Sequence, residues 1–78
     1  MAVWIKIINP SVETADGHEL WGVVVIDLER VDAFGVPGAG QVAAIIDGKS
    51  FIIREEADQT AYHTVLAYAQ RLTGKSLT

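Results

Sequence analysis

The feature that most constrains this chain is an Asp47-Gly48 pair set between two β-prone runs, residues 41 to 46 and 49 to 54. A two-residue hairpin loop of type I′ needs positive φ at both positions, and Asp-Gly supplies it at little steric cost. Counting outward from that loop predicts Ile46 opposite Lys49, Ala44 opposite Phe51 and Val42 opposite Ile53. The pairs Ile45/Ser50, Ala43/Ile52 and Gln41/Arg54 then share the other face. The first of these faces is the better core face, because it carries Phe51 and is polar only at Lys49 beside the tip. A three-residue loop with Gly48 left-handed is the competing register, and it would change these partners.

A helix follows the hairpin. Tyr62, Val65, Leu66, Ala69 and Leu72 recur at helical spacing, which predicts a helix over residues 58 to 73 laid on the Val42/Ala44/Phe51/Ile53 face, with Ala61 and Tyr68 widening its apolar stripe. Asp58 is the expected N-cap and Gly74 the residue that ends the helix, while Glu55 and Glu56 suit its positive end and Arg71 its negative one. Upstream, residues 2 to 8 alternate so that Val3, Ile5 and Ile7 point inward and Trp4, Lys6 and Ile8 outward. Asn9-Pro10-Ser11 then breaks the strand, and a polar connection with a second Asp-Gly pair reaches Gly17. Residues 19 to 26 and 28 to 34 read as strands joined through a bend near Asp27, with Gly22 marking a bulge or a close backbone approach. A helical turn over residues 27 to 32 is the alternative there. Gly35-Val-Pro-Gly-Ala-Gly40 has the glycine content of a phosphate cradle, yet a strand follows it rather than a helix N-terminus, so it reads as a turn between strands.

These elements predict one α+β domain spanning residues 1 to 78, a small antiparallel sheet of three to four strands with one C-terminal helix packed on one face. Half of the 78 residues are apolar, which is high for so small a chain and implies either an unusually dense core or surface shared with another subunit; the second is favoured, most simply in a homodimer. The net charge is −4, and the six basic side chains are scattered, so no electrostatic footprint for nucleic acid is visible. The N-terminal apolar run is too short for a membrane span or signal segment, and the lack of cysteine fits a reducing compartment, so a cytoplasmic protein is expected.

Nothing in the chain favours catalysis. Ser11, Ser50 and Ser76 lie in a turn, a hairpin and a tail, without the setting that activates a nucleophile. Glu55, Glu56 and Asp58 could act as an acid–base pair but already serve the helix N-terminus. His18-Glu19 with Asp16 could offer metal ligands, although neighbours on a strand point to opposite faces and His63 lies on the helix's wet side. No metal or cofactor is expected. The more informative residues are the tryptophans. Trp4, Ile8 and Ile52 fall on the sheet face without a helix, and with Trp21 they form the expected partner-binding set, since tryptophan is enriched among interface hot spots. Packing of both tryptophans in a core under the 9 to 19 connection is the competing reading, and an open sheet edge is a second mode of association.

The order Val25-Ile-Asp-Leu-Glu-Arg-Val31, then Val42 to Ile46, Asp47-Gly48-Lys49, Phe51-Ile-Ile53, Glu55 and a helix reaching Tyr68 resembles the small bacterial flagellar proteins of the FlbD family over about residues 25–70. That resemblance implies a strand, a turn, a hairpin with a Gly-Lys tip and a short terminal helix; it assigns no functional residue. The strand–hairpin–helix order is also similar to the core of the LytTR DNA-binding domain, whose basic residues this chain lacks. The function expected is therefore that of a small non-enzymatic interaction or accessory protein of bacterial or phage origin, acting through an apolar sheet face or a sheet edge. The alternatives are a nucleic-acid or transcription-associated module, and a small ligand or metal binder using His18.

Overall fold

The computed structural model describes residues 1–77. It contains one C-terminal helix, as expected, but seven strands in two sheets rather than three or four in one. The strands are β1 (Trp4–Ile8), β2 (Ser11–Thr14), β3 (Gly17–Leu20), β4 (Val23–Asp27), β5 (Ala33–Gly35), β6 (Gln41–Ile46) and β7 (Lys49–Arg54), followed by helix α1 (Gln59–Thr73). A 3-10 turn, Leu28–Arg30, joins β4 to β5, so the extended chain expected over residues 28 to 34 shortens to β5 alone. Asp27 caps that turn by accepting from the Glu29 amide at 3.0 Å, which local pairing of extended chain would have forgone.

The additional strands come from the connection expected after Asn9. Residues 4 to 27 form one long antiparallel hairpin: β1 pairs β4, β2 pairs β3, and Ala15 with Asp16 makes the turn. The hairpin bends in the middle, where the Asn9 amide donates to the Gly22 carbonyl at 2.8 Å and the Trp21 amide to the Pro10 carbonyl at 3.1 Å. No residue is inserted on either strand, so Gly22 marks a bend and not a bulge. The bend arises at Asn9, whose φ of 51° is left-handed, a conformation asparagine tolerates better than most residues. One left-handed residue also shifts the in–out alternation by one: Ile7 is buried in β1, and Val12 in β2.

Beyond the bend, β2 leaves the two-stranded ribbon and pairs with β7, giving a five-stranded sheet ordered β3-β2-β7-β6-β5. The β6–β7 hairpin has the expected two-residue register, with Val42 opposite Ile53, Ala44 opposite Phe51 and Ile46 opposite Lys49. Asp47 (φ 49°) and Gly48 (φ 79°) both take positive φ. Val42, Ala44, Phe51 and Ile53 form the inner face and are buried. The core closes over them with Ile7 and Ile26 from the ribbon, Val12 from β2, Leu28 from the 3-10 turn, and Ala61, Tyr62 and Val65 from α1.

Helix α1 carries the expected caps. The Asp58 carboxylate accepts from the Ala61 amide at 3.0 Å, and Gly74, left-handed at φ 71°, donates its amide to the Gln70 carbonyl at 2.7 Å. Tyr62, Val65 and Ala69 are buried and Leu66 is half-buried, but Leu72, at the helix's last turn, is exposed.

Candidate interaction surface

The outer face of the β1–β4 ribbon holds the largest set of exposed apolar side chains. With Ile5, Ile7, Val24 and Ile26 turned toward the core, the alternate positions Trp4, Lys6 and Ile8 on β1 face outward beside Val25 and Val23 on β4. Trp4 is 60% exposed, Val25 54%, Val23 53% and Ile8 41%. Exposure of one such residue is ordinary, whereas four adjoining ones on a two-stranded ribbon form a patch. Lys6 lies in its middle, where its aliphatic stem extends the apolar surface while the ammonium stays in water.

The ribbon is held at both margins by carboxylates. Asp27 Oδ1 accepts from the Val3 amide at 2.9 Å as well as from Glu29, and the Leu28 amide donates to the Val3 carbonyl at 2.8 Å, fixing the N-terminal end of β1. The Val3 amide holds the Asp27 carboxyl below its usual range; burial opposes this, and the Glu29 amide, Arg30 and the terminal amine reinforce it. At the other margin, Asp58 Oδ2 accepts from the Ile8 amide at 3.0 Å while its second oxygen caps α1. One aspartate thus ties the helix start to the ribbon edge.

The four residues expected to bind a partner do not form one surface. Trp4 and Ile8 lie together on the ribbon. Trp21, beyond the bend, is half-buried and packs edge-on against Phe51, with ring centroids 6.1 Å apart and planes at 82°, while its indole Nε1 donates to Glu19 at 3.2 Å. Ile52 is half-buried on the outer face of the five-stranded sheet, between Ser11 and Ala43. Val23 and Val25 complete the patch. The run from 20 to 26 looks uniformly apolar, so which of its residues face outward shows only once the pairing with β1 is known.

The residues weighed for chemistry are dispersed or engaged. Ser11 Oγ lies 3.1 Å from His18 Nε2, with Ser11 buried and His18 exposed. His63 pairs with Glu55 at 3.2 Å on the surface, and Asp58 is committed to two amides. Among the described residues, no three His, Asp or Glu side chains come together as a metal-holding group, and no helix is long and apolar enough to cross a membrane. No known protein family, characterised protein or solved structure matches the chain.

Proposed function

We propose that this protein is a non-enzymatic association module, an accessory or regulatory subunit whose working surface is the outer face of the β1–β4 ribbon, and that it first associates with a second copy of itself. The supporting observation is the cluster of Trp4, Ile8, Val23 and Val25 on one face of two strands. Apolar surface of this kind gains free energy on leaving water, and an isologous contact lets one patch serve both partners. Tryptophan in such a patch supplies much contact area for little side-chain entropy.

Sedimentation equilibrium tests the reading. The intact chain is expected to show twice the mass of one 8.4 kDa chain, and Ile8→Ser with Val23→Ser to return it to a single chain with its circular dichroism unchanged. A single-chain mass for the unmodified protein up to about millimolar concentration, where even weak pairs form, would refute it.

A further inference from the structure

Strand β4 pairs with β1 on one side only. The Leu28 amide bonds to Val3 and the Gly22 carbonyl to Asn9, so the intervening residues 24 and 26 direct their backbone groups at β1. Val23 and Val25 therefore turn their N–H and C=O groups to the free edge, whereas the Asp27 carbonyl is taken by the 3-10 turn that it caps. Beside that edge runs a groove of about 360 Å³ between the ribbon and the tip of the β6–β7 hairpin. Its apolar lining includes Trp4, Val25, Ile46 and, at its floor, the buried Ile26 and Phe51, and it also holds Arg30 and Lys49. Neither cation has a carboxylate within 4.0 Å among the described residues, although the chain as a whole is acidic. Of the two carboxylates in the groove, Asp27 is occupied by the Val3 and Glu29 amides and Asp47 is exposed at the hairpin tip.

The geometry points to this groove as a docking site for an extended segment of a partner protein in which apolar residues alternate with carboxylates. Three separate features fit that occupant. The free edge offers main-chain hydrogen bonds to an added strand, the exposed Trp4 and Val25 with half-buried Ile46 take alternate apolar side chains, and Arg30 and Lys49 attract carboxylates between them. A basic segment would meet both cations, and a helix would leave the edge groups unpaired. The groove shares Trp4 and Val25 with the proposed self-association face but not Ile8 or Val23, so changes at Ile8 and Val23 separate the two readings.

The test is fluorescence anisotropy with labelled peptides of about eight residues, a typical strand length or slightly more. One alternates valine with glutamate, a second alternates valine with lysine, and a third is the glutamate peptide with alternate amides N-methylated. The glutamate peptide is expected to bind at least about tenfold more tightly than the lysine peptide, and N-methylation on the strand-facing side to remove the binding. Asp47→Asn tightens the glutamate peptide, and Arg30→Glu with Lys49→Glu reverses the preference. Should that reversal unfold the chain by circular dichroism, Arg30→Gln with Lys49→Gln is expected to abolish the preference instead. Equal affinity for both peptides, or a preference that survives these changes, overturns the assignment. So does a loss of dimer mass on changing Arg30 and Lys49 without charge-selective peptide binding, which would place a second copy in the groove. The Ile8→Ser, Val23→Ser variant keeps the peptide preference whatever its mass, so the two readings fail separately.

Discussion

Two aspartates do more for this fold than their surface-prone residue type suggests. Asp58 serves two elements at once, and Asp27 closes the opposite end of the ribbon through the Val3 and Glu29 amides. The Asp27 carboxyl titrates lower in the folded chain than in the unfolded one, chiefly because the Val3 amide bonds to the ionised form. A depressed carboxyl pKa contributes stability that is present above the unfolded value of about 3.9 and is lost as pH falls through the lower folded value. Asp27→Asn keeps an acceptor oxygen but has no charge to lose. Its unfolding midpoint in urea is therefore expected below that of the unmodified chain at pH 7, with the two converging as the pH drops below about 4. Midpoints that stay parallel down to about pH 2 would show that the Asp27 charge does not contribute.

The β6–β7 hairpin is the element on which the other parts close, and Phe51 is its most consequential side chain. Its ring is buried on the inner face and meets Trp21 edge-on. Phe51→Ala is expected to cost about 3 to 5 kcal/mol, enough to unfold much of a domain this small, whereas Lys49→Ala, two residues away and exposed, stays within about 0.5 kcal/mol. Urea denaturation of both variants measures the contrast, and similar losses would mean the register is not the one described. This hairpin and helix α1 were legible in the sequence because their signals are local: a loop pair that demands positive φ, an apolar stripe at helical spacing, and caps at Asp58 and Gly74. The long bent hairpin was not. Its cause is one left-handed residue, Asn9, which changes the phase of alternation without changing the apolar pattern around it. Strands β2 and β3 carry polar residues because their ends project beyond the core, so the stretch from Glu13 to Gly17 read as a loop. The same phase change separated Trp21 from Trp4. The proposed interaction surface was legible only at Trp4 and Ile8, since Val23, Val25 and the Arg30/Lys49 groove depend on which strands pair.

At the scale of the molecule, the chain is already closed without a partner. Its radius of gyration of 11.5 Å equals the roughly 11.5 Å expected for a compact domain of this length, and its surface of 4790 Å² is near the roughly 4600 Å² expected for its mass. The exposed apolar ribbon is therefore not the sign of an unfinished core; it is surface left over after the core is complete. The two tryptophans separate these roles. Trp21→Ala removes the ring that meets Phe51 and is expected to lower the stability of the single chain by about 2 to 4 kcal/mol. Trp4→Ala removes a side chain that is 60% exposed and is expected to cost the single chain less than about 1 kcal/mol. Association couples to folding by mass action, so if the ribbon pairs two copies as proposed, the melting temperature of the unmodified protein is expected to rise with concentration. That rise disappears in Trp4→Ala and persists, from a lower starting point, in Trp21→Ala. Thermal melts over a hundredfold range of concentration distinguish the cases, and a slope that survives the loss of Trp4 would move self-association away from the ribbon.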